Sequence, residues 1–141
     1  HSRCEIMLDN YCKTVVIEAN TMVDMAKKQI LPAVEAYAGD LAAAAASKKA
    51  LDKELPCTYE TNLVRKLSML ADQISQKTEE LEETLMTLSN YSDVTEESYA
   101  IRDKVLPKMS ELRAVADEAE TVTAAKYWPY PTYGDLLFGV R

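Results

Sequence analysis

The densest group of chemically capable side chains is a run of four glutamates, Glu79, Glu80, Glu82 and Glu83. Carboxylate oxygens bind a divalent cation when several of them converge on one point. Successive positions of a helix point in different directions, and a run of like charges is typical of a solvated face. We therefore interpret this run as helix surface and predict no metal site in it.

Nucleophiles and bases are not paired anywhere in the sequence. The single histidine is residue 1, which excludes Glu-x-x-His di-iron pairs, Ser-His or Cys-His nucleophile pairs, a phosphotransfer histidine and most zinc sites. Three scattered glycines provide no phosphate-binding loop. Cys12 lies on an apolar stripe without a base and is predicted to be a small core residue. Glu18, Asp24 and Asp117 fall in apolar segments, where we expect surface ion pairs. We predict no catalytic, cofactor-binding or metal-binding residue.

Charge and composition limit the class of protein. Sixteen basic and 23 acidic residues give a net charge of −7, which disfavours nucleic acid and anionic membranes as partners. The longest apolar run, from Leu41 to Ala46, is too short to span a bilayer. Cys4, Cys12 and Cys57 are odd in number and not closely spaced, which favours a reducing compartment. A soluble, cytoplasmic protein is expected.

The first helix is predicted from apolar residues that recur at intervals of four and three. They are Leu8, Cys12, Val15, Ala19, Met22 and Ala26. We expect this helix to begin near Arg3, to bend at Pro32 and to continue to about Glu54. A break at Gly39, which resembles a C-cap before Asp40, is an alternative.

Two more helices follow. A heptad-like seam of leucines and one isoleucine predicts a second helix over 58–89, with Thr58 as a candidate N-cap. Ser92 or Asp93 is expected to cap a third helix over 93–125. The third helix carries Pro107 in Val-Leu-Pro, much as the first carries Pro32 in Ile-Leu-Pro.

These segments predict an all-α fold, an elongated up-down bundle of three long helices, or four if the first breaks near Pro32 or Gly39. Counting from the turns places the two prolines within about one helical turn of the same height. The same count leaves the first twenty or so residues projecting beyond the other helices. Leu8, Val15 and Met22 then lack cover, and we predict them as interaction residues.

The C-terminal segment, residues 126–141, is predicted to be extended. It contains five of the ten aromatic residues of the chain, and its prolines prevent a continuous helix. An aromatic segment is costly to leave in water, so we expect Trp128, Tyr130, Tyr133 and Phe138 to pack on the bundle or on a neighbour. The predicted organisation is a tag remnant at 1–2, a bundle domain at 3–125 and this tail.

Three segments resemble the C-terminal region of type III, or long-chain, glutamine synthetase. They are EIMLDNYCKTVVIEANTMVDMAKKQILPA from residue 5, ELRAVADEAET from residue 111 and WPYPTYGDLLF from residue 128. The resemblance implies a parent enzyme that joins ammonia to glutamate with ATP and magnesium or manganese, inside a large homo-oligomer. In that family the ligands of metal, nucleotide and glutamate come from upstream regions, and no stretch here matches them.

The expected function is therefore a non-catalytic structural or assembly module, with the upstream catalytic domain and other subunits as partners. An alternative is an interaction module that binds another subunit or a regulator through the bundle face and the tail. A third hypothesis places the tail or the first helix at the rim of the parent's active site.

Overall fold

Three helical rods make up residues 3–131, which are the residues described by the computed structural model. The first rod, residues 3–51, consists of α1 (Arg3–Met25), a first π turn (Ala26–Ile30) and α2 (Leu31–Leu51). The second rod is α3 (Thr58–Thr87), followed by a 3-10 turn (Leu88–Asn90). The third rod, residues 94–122, consists of α4 (Val94–Ala100), a second π turn (Ile101–Val105) and α5 (Leu106–Val122). The described residues contain no strand, and the predicted all-α bundle of three long helices is confirmed.

The first rod does not break at either predicted position. Gly39 lies inside α2, and a Cβ at this residue would meet no atom within 4 Å. The rod ends at Leu51, three residues before the predicted end, where Asp52 adopts an extended backbone. The alternative of four helices is therefore wrong.

Of the two N-caps predicted for the second and third rods, one is present in the structure and one is not. The carboxylate of Asp93 accepts a hydrogen bond from the N–H of Thr95, so of the two predicted candidates Asp93, and not Ser92, is the N-cap of α4. Thr58 is not a cap, because it is already the first helical residue, and the side chain of Cys57 before it makes no capping hydrogen bond to the helix. The third rod ends at Val122, slightly before the predicted end near Ala125.

Each π turn ends directly before a Leu-Pro pair. Proline lacks the backbone N–H, and in an α-helix its ring clashes with the carbonyl four residues earlier. In the first π turn the N–H of Leu31 donates to the carbonyl of Ala26, five residues back. In the second, the N–H of Leu106 donates to the carbonyl of Ile101 in the same way. The wider turn accommodates Pro32 and Pro107, and both rods continue past their prolines as helices.

The two π turns lie at the same level of α3. Lys27 of the first π turn pairs with Glu82, and Lys108, just after the second, pairs with Glu80. The predicted correspondence in height between the two prolines agrees with these contacts.

The core runs along α3, between α2 on one side and α5 on the other. Its largest members are fully buried residues from all three rods: Val34, Leu67, Leu70, Ile74, Leu81, Ile101, Val105 and Leu112. Burial of these eight side chains is the main stabilising contribution, at roughly 1.5–3 kcal/mol each before conformational entropy is subtracted.

The part of the first rod around Val15 is covered, contrary to the prediction, whereas residues 3–7 are exposed. α1 packs against α4, and Val15, predicted to lack cover, is only 5% exposed. Tyr91 and Asp93 have extended backbones, so the connection carries the chain beyond the end of α3 before α4 begins. Counting residues from the turns assumes that the chain reverses directly after α3. The start of the third rod was therefore predicted closer to the end of α3 than it is.

No helix among residues 3–131 is long and apolar enough to cross a membrane.

Candidate interaction surfaces

The acidic run of α3 forms ion pairs between rods. Glu80 receives a hydrogen bond from Nζ of Lys108 at 2.9 Å, and Glu82 receives one from Nζ of Lys27 at 2.6 Å. Glu79 and Glu83 are exposed to solvent. The carboxylates point toward different rods, and no group of three or more metal-ligating side chains occurs among residues 3–131.

One ionic cluster joins α3 to α5. Lys77 donates to Glu111 at 2.7 Å and lies 3.7 Å from Glu80, while Lys108 bridges Glu80 and Glu111. The hydrogen bond from Lys108 lowers the pKa of Glu80 below its ordinary value of 4.5. The hydrogen bond from Lys77 does the same for the pKa of Glu111. Two lysines and two carboxylates thus hold the second and third rods in register.

We expect Glu80→Gln to lower the melting temperature at pH 7 and to have little effect at pH 3. A carboxylate whose pKa is depressed by folding contributes stability above the unfolded value, near 4.5, and loses it as the pH falls through the folded pKa. Glutamine does not ionise, so the variant lacks this contribution at every pH. Melting curves at pH 7, 5 and 3 measure the effect. Glu79→Gln, at an exposed position, is the control. A difference in melting temperature between Glu80→Gln and the wild type that does not change with pH would contradict the prediction.

Cys12 is a core residue, as predicted, and its environment disfavours a nucleophile. Burial, assisted by the neighbouring carboxylate of Glu97, raises the pKa of the thiol to about 11. Nucleophilic cysteines require the opposite shift. Cys57 is also buried, whereas Cys4 is exposed, and all three thiols are free.

A cleft of about 370 Å³ lies between the first rod and α5. Its walls are mostly apolar and include Met22, Met25, Leu112 and Ala116, with Trp128 and Tyr130 beside them. The charged residues on its rim are Arg113, Asp117 and Glu120. This apolar cleft with a charged rim is suited to a hydrophobic peptide segment or side chain.

The chain turns back along the first rod after α5. The ring of Tyr127 lies 4.9 Å from that of Tyr37, and its hydroxyl donates to Asp40. Three residues later the hydroxyl of Tyr130 donates to Gln29. Between them Trp128 is buried, with its ring 6.3 Å from that of Tyr130. Residues 127–130 therefore run from α2 toward α1.

The predicted interaction residues have different positions in the fold. Val15 is in the core, and Leu8 and Met22 are half-buried. Met22, Trp128 and Tyr130 come together at the cleft. Tyr133 and Phe138 lie outside the described residues, and their packing stays a prediction.

Several exposed apolar side chains lie on the side of α1 opposite the core. We call it the outer face and define it by Ile6, Met7, Asn10, Tyr11, Thr14, Ile17 and Thr21. Four of these residues, Ile6, Met7, Tyr11 and Ile17, are large hydrophobic side chains exposed to solvent. All seven are uncharged, and the exposed Glu18 lies beside them, four residues after Thr14 and three before Thr21. This surface is about 22 Å long, at 1.5 Å per residue.

The threonines of the outer face do not require an external acceptor. The hydroxyls of Thr14 and Thr21 each donate to the backbone carbonyl four residues earlier, at 2.9 Å. The outer face was not predicted, because the apolar stripe that predicts the helix lies on its other side. Its signal is the spacing of Met7, Asn10, Thr14, Ile17 and Thr21, which alternates three and four as in a helix-packing seam.

Comparison with known proteins gives consistent matches. The family model described as the glutamine synthetase C-terminal domain matches residues 1–49. A glutamine synthetase of Butyrivibrio fibrisolvens is 34% identical over 141 residues, covering 100% of this chain and 20% of that protein. A type-3 glutamine synthetase of Dictyostelium discoideum is 28% identical over 97% of the chain and 19% of its own length. A glutamine synthetase of Bacteroides fragilis (strain YCH46) is 24% identical over 96% of the chain and 19% of its own length.

Residues 1–49 match the glutamine synthetase C-terminal domain family, and the full chain is similar to glutamine synthetases. One of these relatives is a type-3 enzyme, as the resemblance of the opening and closing segments implies. The chain spans about one fifth of the length of the relatives that it matches.

Proposed function

We propose that this chain is a non-catalytic structural module of a type-3-like glutamine synthetase, and that it supports the assembly of the enzyme. The observation that carries the proposal is that charged residues form ion pairs between the rods. Several lysines and glutamates are paired between rods, as in the cluster of Lys77, Glu80, Lys108 and Glu111. Such pairs fix the relative positions of helices, which is the requirement for a rigid module.

The longer protein would then carry the chemistry. By family, it would ligate ammonia to glutamate with ATP and magnesium or manganese, in the cytoplasm and as a homo-oligomer. Its partners for this module would be the upstream catalytic domain and other subunits. Nucleic acid and membrane are not proposed as partners, because the net charge of −7 repels both phosphate backbones and anionic lipids.

The proposal is tested by incubating the purified 141-residue chain with ATP, glutamate, ammonium and magnesium. We expect no glutamine, whereas the longer polypeptide should form it under the same conditions. Turnover by the 141-residue chain that disappears when it is unfolded would overturn the proposal.

A second candidate is an interaction module that uses the cleft and the aromatic segment to bind another subunit or a regulator. It is supported by the half-open apolar cleft at which Met22, Trp128 and Tyr130 meet. The tail, residues 126–141, would then pack in the cleft or against a neighbouring chain. In this case the loss of the tail should affect assembly more than folding.

Truncation after Pro131 distinguishes the two roles. It removes Tyr133 and Phe138 but leaves the contacts of Tyr127 with Asp40 and of Tyr130 with Gln29. The helical content of the bundle and the mass of the longer enzyme are measured for this variant. A smaller oligomer with a folded bundle supports the interaction role, and an unchanged mass supports the purely structural one.

A further inference from the structure

We propose that the outer face of α1 is the surface on which the preceding part of the same polypeptide packs. This inference rests on the proposed function, since it requires that the chain be continuous with a catalytic part. It adds the location of the contact and the chemistry of the opposing surface, which should be mainly apolar with acceptors for Asn10 and Tyr11.

The physical basis is the composition of the outer face. Ile17 is 66% exposed and Met7 is 65% exposed, although both lie on a helix whose other side is fully packed. Exposed apolar side chains grouped on one side of a helix indicate a contact surface more strongly than the same residues scattered singly. The hydroxyls of Thr14 and Thr21 already donate within the helix, so these two side chains need no partner across the contact. The opposing surface has to provide acceptors only for the side chains of Asn10 and Tyr11.

A second copy of the chain is a less suitable partner. One helix side about 22 Å long and about 10 Å wide covers roughly 200 Å², well below the roughly 800 Å² per partner of a stable interface. A segment joined covalently to α1 does not pay the full cost of association, because linkage gives it an effective concentration in the millimolar range. A small apolar face is therefore better suited to a partner in the same chain.

The relatives contain enough additional polypeptide to include such a partner. About four fifths of each relative lies outside the region matched by this chain. The matched C-terminal domain model includes all of α1. A C-terminal domain follows other parts of its polypeptide, and the outer face of α1 is an exposed, mainly apolar surface on which those parts can pack.

The test measures cysteine accessibility in the longer enzyme. Cys4, which is exposed, is first replaced by serine, and Ile17→Cys is then introduced into both the 141-residue chain and the longer polypeptide. Met86→Cys on α3, where Met86 is 75% exposed, is the matched control. Alkylation rates are compared between the two lengths, with glutamine formation and mass recorded on the same samples.

We expect alkylation at position 17 to be at least tenfold slower in the longer polypeptide, with no such change at position 86. Equal rates at position 17 would overturn the inference. Protection that is lost when the longer enzyme is diluted to single chains would also overturn it, because the covering surface would then belong to a neighbouring subunit. So would a dimer of the 141-residue chain in which position 17 is protected. An active enzyme with an unprotected position 17 refutes only this inference, whereas a longer polypeptide that forms no glutamine refutes the proposed function.

Discussion

Replacing Leu81 by alanine should lower the free energy of unfolding by about 2–5 kcal/mol, the range for a buried leucine that leaves a cavity. Leu81 is 0% exposed and lies on α3, next to the level at which the two π turns contact that helix. All three rods are close together here, so little relaxation can fill the space of the missing side chain. The loss is measured by urea unfolding followed by circular dichroism.

Leu51→Ala is the control for this experiment. Leu51 is 84% exposed at the last residue of α2, and its truncation should change the free energy of unfolding by less than about 0.5 kcal/mol. Equal losses for the two variants would mean that Leu81 is not in a packed core and would contradict the three-rod arrangement.

Deleting Lys28 should destabilise the chain by more than about 3 kcal/mol, the cost of proline inside a regular α-helix. Lys28 is an exposed residue of the first π turn, and its removal leaves too few residues to close that turn before Pro32. In addition, α1 and α2 would rotate by about 100° relative to each other, which moves Cys12 and Val15 out of contact with α4.

Lys28→Ala retains the residue count and is the matched control. Its only resolved side-chain partner among the described residues is Asp24, an exposed pair at 3.6 Å, so we expect a change within about 0.5 kcal/mol. Thermal unfolding of both variants gives the comparison. If the deletion unfolds at the same temperature as the substitution, the π turn is not required to pass the proline.

The rods were predictable because their apolar residues recur at helical spacing over many turns. The seam through Leu67, Leu70, Ile74 and Leu81 is buried as expected. Asp93 was predictable as a cap because a carboxylate before a helix accepts from its free N–H groups. The resemblance to type III glutamine synthetase also agrees with the comparisons.

The π turns were not predicted, although the sequence contains a signal. Ala26, Ile30, Val34 and Ala38 are all buried at intervals of four, and in a regular α-helix such a series drifts by about 40° per step. A π turn takes up an extra residue and returns the stripe to one side. Recognition requires knowledge of which residues are buried, which periodicity alone does not give.

The cover of α1 was predicted incorrectly for a different reason. The position of the third rod along the bundle depends on the backbone of residues 91–93. Turn-forming residues do not specify whether the chain reverses directly after α3 or first continues beyond its end. Since the connection continues beyond the end of α3, α4 covers Val15, and the exposed apolar surface is on the other side of α1.

The most direct test of the structural role is the mass of the longer enzyme as a function of temperature, measured by light scattering for the wild type and for Leu81→Ala. The variant weakens the bundle without altering any exposed side chain, because Leu81 is fully buried. If the bundle supports assembly, the oligomer should dissociate at a lower temperature in the variant, in step with the unfolding of the bundle. An oligomer that keeps its full mass after the bundle has unfolded would contradict the account.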